Sequence, residues 1–261
     1  MRLKEKVILV TGSTTGIGEA MARTFAREGA RVMVHGIDEA AARNVVDDIR
    51  RHGGQAHHVT ARLEEPSAAP RIIQSVVDQW GRIDGLVNNA AVMTRSDLET
   101  TDADCFDRTM AVNLRAPLLL IQAALPHFRR QRGGRVVNIG SINGYCGERN
   151  QLAYSISKAG LMTLTRNLAD AYGPERIQVN LLNVGWTLTP NEYELKKKEG
   201  LPEDWPNRVP RRFAPSGRLL SPEEVAWAAV YFLSDEAPRI NGAILDLEQY
   251  PLLGRNPAKE T

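Results

Sequence analysis

The chain has 261 residues, a formal net charge of +2, 43% hydrophobic and 25% charged residues. This is enough apolar material for the core of one α/β domain, and the near-neutral balance gives no support to a nucleic-acid or membrane-surface role. The two cysteines, Cys105 and Cys146, form no disulfide framework, and the charged start of the chain lacks an apolar targeting segment, so a reduced, cytoplasmic setting is the expectation.

Strand and helix patterns alternate along the whole chain. Val7 to Val10 is a short apolar run ending at a glycine-rich turn, which reads as a buried strand. A helix over 17–28 follows, closed by Gly29. The pattern then predicts a strand at 31–35, a helix at 39–51 stopped by Gly53 and Gly54, a strand at 55–60, a helix at 67–80 ending at Gly81, and a strand at 83–88. Helices are expected at 102–113 and 118–130, a fifth strand at 135–139, a long helix at 151–172 and a sixth strand at 177–182. Residues 191–212 are polar, proline-containing and irregular, and fit a substrate lid near 187–215. A helix at 223–234 and a strand at 243–247 complete the series. Such repeated units predict a doubly wound, mostly parallel sheet of Rossmann type with helices on both faces, in a single domain. Ligands then belong at the carboxyl ends of the strands.

Two constellations carry chemistry. In the first, Gly12, Gly16 and Gly18 lie in Thr11-Gly-Ser-Thr-Thr-Gly-Ile-Gly18, between the first strand and the first helix. Glycines there let the backbone approach a pyrophosphate, and the helix start offers free N–H groups to it. In the second, Tyr154 and Lys158 stand four apart in a helix and so share a face, with Ser141 at the end of the fifth strand. A free phenol titrates near pH ~10. An ammonium about 4 Å from a phenolate is worth about 4 kcal/mol at an effective dielectric near 20, or roughly three pKa units. Lys158 is therefore expected to lower the Tyr154 pKa toward neutrality and make it an acid/base.

These motifs, with Asn88-Asn89-Ala90 and Asn113, occur in the order and spacing of the short-chain dehydrogenase/reductase family. The chain resembles the shorter, single-domain branch of that family from Lys4 to about Leu247. The resemblance implies hydride transfer between NAD or NADP and the carbinol or carbonyl carbon of a substrate. It implies Tyr154 as the acid/base, Ser141 holding the substrate oxygen, Lys158 also binding the nicotinamide ribose, and Asn113 supporting a proton relay. For the dinucleotide it implies contacts from Gly12, Ser13, Thr15, Gly16, Ile17, Gly18, Gly36, Ile37, Arg62, Leu63, Asn89, Ala90, Gly185, Thr187 and Thr189, besides Tyr154 and Lys158. Ala91 and Val184 stand where the family has glycine and proline.

The choice of cofactor turns on the end of the second strand. An acid there favours NAD and an arginine after it favours NADP; the chain has Gly36 and Ile37, with a neutral Thr15. Asp38 either turns to the ribose or caps the next helix. Arg62 either stacks on adenine or attracts a 2′-phosphate. With no clear phosphate clamp, NAD is favoured over NADP.

The substrate loops offer Asn143, Arg149, Gln151 and Trp186 beside Ser141 and Tyr154, a set rich in hydrogen-bonding groups. They fit a small polar substrate, such as a sugar, sugar acid or hydroxy acid, better than a fatty or steroid one. Trp205 in the lid reads as a packing anchor or a stacking face for a sugar ring. The alternatives are an NADPH-dependent 3-oxoacyl carrier reductase and a non-catalytic cofactor-sensing or scaffold protein. His52, His57 and His58 lack partners at ligand spacing, so no metal is expected. Arg129, Arg130 and Arg132 complement a helix C-terminus or dock an acidic carrier protein. The apolar helices at 118–130 and 151–172, and the run from Tyr250 to Arg255, are candidates for subunit contacts. The resemblance implies a homo-oligomer, a dimer or tetramer.

Overall fold

The structure is a computed structural model that describes residues 1–237 and 239–250. Of the segment from Tyr250 to Arg255, the part from Pro251 onward lies outside the described residues. Strands β1 (Val7–Val10), β2 (Arg31–Gly36), β3 (Gln55–Thr60), β4 (Gly85–Asn88), β5 (Gly134–Ser141), β6 (Ile177–Val184) and β7 (Ile244–Leu247) form one sheet in the order β3-β2-β1-β4-β5-β6-β7. All six pairings are parallel. The chain winds outward from β1 in one direction and from β4 in the other, so the crevice of a doubly wound sheet opens between them.

Alternation along the strands divides the core. Ile8, Val10, Val32, Val34, Val137 and Leu182 point to the face covered by helices α1 (Gly16–Arg27), α2 (Glu39–Arg51) and α9 (Pro222–Leu233). Val7, Leu9, Met33, Leu86, Val136 and Val179 point to the other face, under α3 (Ala68–Trp80), α5 (Ala116–Arg130) and α7 (Leu152–Tyr172). Phe128 of α5 is fully buried against Gly134, where an added Cβ would lie 2.2 Å from its ring.

Two segments differ from the sequence expectation. The helices expected at 102–113 and 118–130 are continuous: α4 (Ala103–Met110) runs through a π-helical turn, Ala111–Arg115, into α5. Such single-turn insertions often mark functional sites, and this one carries Asn113. The stretch expected to be irregular from Asn191 to Arg212 contains helix α8 (Pro190–Lys198) and a short 3₁₀ turn at Trp205–Arg208. Helix α8 has no buried face. Its start is fixed by the Thr189 side chain, which accepts from the Glu192 N–H, and Lys196 to Lys198 complement its carboxyl end. A short helix α6 (Asn143–Cys146) precedes α7. Among the described residues, no helix is long and apolar enough to cross a membrane.

Candidate active site

The glycine turn is held from two sides. Gly12 and Gly16 adopt φ +61° and +57°, the left-handed region that favours glycine. A Cβ on Gly18 would lie 2.2 Å from the Gly12 carbonyl oxygen. On one side, the Asn89 side chain donates to the carbonyls of Thr11 (2.9 Å) and Gly12 (3.0 Å), and the Asn89 and Ala90 N–H groups donate to Thr11 Oγ1. On the other, the Gly12 N–H donates to Nδ1 of His35 at 3.2 Å. The Ser13 N–H donates to the His35 carbonyl at 2.8 Å, and the His35 N–H donates to Ser13 Oγ at 3.0 Å. Burial pushes the His35 imidazole down to about 4 despite the nearby Ala61 carbonyl, so it stays neutral and keeps Nδ1 as an acceptor.

Helix α1 begins at Gly16, and its N-cap Thr15 makes no side-chain cap. The first-turn N–H groups thus point at the mouth of the crevice, a cradle that fits the diphosphate of a dinucleotide. Ser13 turns its hydroxyl inward onto the Val10 carbonyl at 2.7 Å, and its N–H is already given to His35. Gly36 closes on Thr14, whose methyl would lie 2.5 Å from an added Cβ. Beyond it Ile37 is exposed, and Asp38 caps α2 by accepting from the Ala41 N–H at 3.0 Å. Arg62 is exposed after β3 and forms no ion pair among the described residues, while Leu63 is buried in the core.

Near the ends of β4 and β5 the residues expected to react come together. Lys158 is buried, and its Nζ donates to the Ile139 carbonyl at 2.7 Å. The same nitrogen lies 5.5 Å from the centre of the Tyr154 ring. The Tyr154 hydroxyl is hydrogen-bonded to Ser141. Asn113 accepts from the Val92 N–H at 2.8 Å and donates to the Val92 carbonyl at 2.9 Å and to Ser157 Oγ at 3.0 Å. Ser157 in turn donates to the Tyr154 carbonyl at 2.7 Å. A buried chain from Asn88 through Asn138 to Thr165 ties β4 and β5 to α7 below these groups.

The expected effect of Lys158 on Tyr154 is not what the protein atoms alone produce. Burial pushes the Tyr154 phenol up, opposed by the Ser141 hydrogen bond, and burial lowers Lys158 to about 8. Desolvation outweighs mutual attraction because both groups sit in the same low-dielectric corner.

The substrate side is polar near Ser141 and aromatic further out. The Asn143 N–H donates to Ser141 Oγ at 3.2 Å, and its side chain donates to Gln151 Oε1 at 3.1 Å. Arg149 is exposed and unpaired on the approach loop. Trp205 is 2% exposed, a packing anchor and not an open stacking face. It stacks on Trp186 at 5.8 Å, and Lys196 lies 5.7 Å from the Trp186 ring. Trp186 also donates to Glu192 at 2.8 Å, so its ring is committed to the root of α8. Arg95 pairs with Glu199 at the end of α8 at 2.6 Å and reaches Asn150 at 3.3 Å. Gly185 abuts Glu248, Thr187 donates to the Gly185 carbonyl at 3.1 Å, and Thr189 sits opposite Gly16 across the crevice.

Sequence reasoning missed His35 and Glu248. His35 was visible as one polar residue closing the apolar run Val32 to Val34, at the strand end that faces the glycine turn.

Comparison with known proteins places the chain in one family. The family described as enoyl-(acyl carrier protein) reductase matches residues 12–248. An oxidoreductase of Thermotoga maritima is 35% identical over 95% of this chain and 98% of its own. A 3-oxoacyl-[acyl-carrier-protein] reductase of the same organism is 32% identical, again over 95% and 98%. A crystal structure from Beutenbergia cavernae, described as an NAD(P)-dependent gluconate 5-dehydrogenase and containing NADP, superposes with a TM-score of 0.85. It is 30% identical and covers 95% of this chain and 98% of its own. The chain belongs to the short-chain dehydrogenase/reductase family and is an NAD(P)-dependent oxidoreductase.

Proposed function

We propose that the protein is a dehydrogenase of a small polar alcohol, a sugar, sugar acid or hydroxy acid, working in either direction. The observation that carries this reading is the hydrogen-bonded wall Ser141–Asn143–Gln151, which continues the catalytic hydroxyl group directly into the substrate cleft. A substrate bearing hydroxyls beside the reacting carbon satisfies such a wall, whereas an apolar one leaves it unpaired.

The dinucleotide supplies or accepts the hydride. Tyr154 removes the proton of the substrate alcohol or returns it to the carbonyl oxygen, and Ser141 holds that oxygen. Lys158, anchored on Ile139, orients toward the ribose and supplies positive charge near the phenol. Beside a bound, oxidised nicotinamide, Tyr154 would feel a further positive charge that opposes the burial raising its pKa. Asn113, fixed by Val92 in the π-helical turn, holds the relay through which the proton leaves. The glycine turn with Asn89 and Ala90 would hold the diphosphate, and Gly185, Thr187 and Thr189 would hold the nicotinamide end.

NAD is the preferred dinucleotide in this reading. Asp38 and Glu39 follow Ile37 with two carboxylates, and Glu39 is held below the ordinary carboxylate range by His58 and Arg43. They oppose a 2′-phosphate, against the single unpaired cation of Arg62. Helices α5 and α7 expose Leu118 and Ile156 on the face proposed to meet a second copy of the chain.

The second reading, a 3-oxoacyl thioester reductase, is favoured by the match to the acyl-carrier reductase of Thermotoga maritima. Reduced-nicotinamide formation from NAD+ and NADP+, over a panel of sugars, sugar acids, hydroxy acids and 3-hydroxyacyl thioesters, separates the two. Turnover of a sugar, sugar acid or hydroxy acid with NAD+ supports the first; turnover confined to thioesters with NADP+ replaces it with the second.

A further inference from the structure

A cavity of about 750 Å³ opens away from the catalytic edge. It lies at the opposite, amino edge of the sheet, between the starts of β1, β4, β5 and β6. Its lining includes Lys6, Arg82, Arg132, Arg135, Arg176 and Arg239, against one carboxylate, Asp84. Some of this charge is already answered within the protein. Arg82 pairs with Asp84, and both Lys6 (3.0 Å) and Arg135 (3.2 Å) pair with Asp235. Arg132, Arg176 and Arg239 have no ion-pair partner among the described residues, and Arg135 keeps a buried Nη1 without a hydrogen bond.

The backbone singles out the same place. Only Glu5, Arg132 and Arg176 among the described non-glycine residues have left-handed φ, and the two arginines lie at +62° and +61°. A side chain in this region is strained relative to glycine, the residue a turn of this shape ordinarily uses. Two arginines held at that cost on the rim of one basic cleft fit a demand for their side chains.

We propose that this cleft is a second binding site, for a multiply charged phosphate anion of the nucleoside-polyphosphate class. Three unpaired guanidiniums match an anion of about three charges, and their planar forks suit phosphate oxygens. The volume falls within the 300–1,000 Å³ typical of small-molecule sites. A flat acidic protein surface fits less well. Arg129 is committed to Glu175 at 2.7 Å and Arg130 to His127 at 2.8 Å, so little of the outer arginine cluster is free to meet one. The site is remote from the glycine turn and does not depend on the substrate assigned above.

The test is calorimetric titration of the full chain with inorganic tripolyphosphate, with NAD+ and NADP+ present at saturation to block the glycine turn. One site is expected, weakening as salt is raised. The Arg132→Gly, Arg176→Gly double variant suits the left-handed backbone and should fold; its affinity is expected to fall about tenfold or more, with turnover unchanged. Arg239→Gln, outside both turns, is expected to weaken binding about threefold or more as an independent check. Absence of binding to the native protein, or equal affinity in the native chain and both variants, overturns the proposal. So would binding of a glutamate-rich peptide at this edge without binding of tripolyphosphate.

Discussion

The Nζ of Lys158 donates a hydrogen bond to the carbonyl oxygen of Ile139 at 2.7 Å, joining helix α7 to the strand that ends at Ser141. With the Asn138–Thr165 bond, it ties the helix that carries Tyr154 to the strand that carries Ser141. It also fixes the cation below the Tyr154 ring, 5.5 Å from its centre.

The buried cation leaves a signature in stability. Burial lowers Lys158 from 10.5 to about 8 in the folded chain. Between those values the unfolded chain holds the proton and the folded chain does not, so stability rises with pH; the benefit is complete above the unfolded value and is lost as pH falls through the folded one. Relative to Lys158→Met, the native protein should gain about 3 kcal/mol between pH ~8 and ~10.5 in denaturant titrations. Parallel pH profiles for the two proteins would show that Lys158 is not shifted. Turnover of the variant should fall by at least about a hundredfold.

His35 gives the corresponding signature on the acid side. Its pKa is lowered from 6.5 to about 4 by burial, so its contribution is intact above the unfolded value and lost as pH falls through the folded one. His35→Leu should flatten the stability profile between those limits. It also orphans the Gly12 N–H, at a cost of about 1–3 kcal/mol, and should raise the KM for the dinucleotide about tenfold. His35→Asn, which can still accept that bond, should restore much of the KM. An unchanged KM in His35→Leu would remove His35 from the support of the turn.

Gly18→Ala tests the close approach within the glycine turn. The new methyl would fall 2.2 Å from the Gly12 oxygen and 2.5 Å from the Asn89 amide nitrogen. Relief requires moving backbone, so a loss of about 1–3 kcal/mol in stability is expected. A rise of about tenfold or more in dinucleotide KM should accompany it, measured with both NAD+ and NADP+.

Arg62→Ala examines the adenosine end. The side chain is exposed and unpaired, so its removal should leave stability unchanged. The kcat/KM for NADP+ should fall about fivefold, while that for NAD+ changes less than about twofold. Equal losses with both dinucleotides would mean stacking on adenine in place of phosphate attraction.

Much of this fold was legible because apolar runs such as Val7 to Val10 end at glycines, which fix both the strand and its turn. The ends of β5 and β6 were not. They extend to Ser141 and Val184 because paired neighbours continue the ladder, a tertiary effect absent from local pattern. Helix α8 escaped notice because it buries no apolar stripe and rests on its cap and charges. The π-helical turn carries no periodic signal at all. Asn113, expected from the family resemblance, lies in that turn. The burial that raises Tyr154 was not legible, because desolvation depends on everything packed around the phenol.

The central claim is that Tyr154 carries the proton. The most direct test is nicotinamide-dependent turnover of Tyr154→Phe, measured with the best substrate of the native protein at saturating dinucleotide. A loss of about a thousandfold in kcat, with dinucleotide affinity preserved by fluorescence titration, is the predicted result. A kcat within about threefold of the native value would contradict it and move the acid/base role to another group.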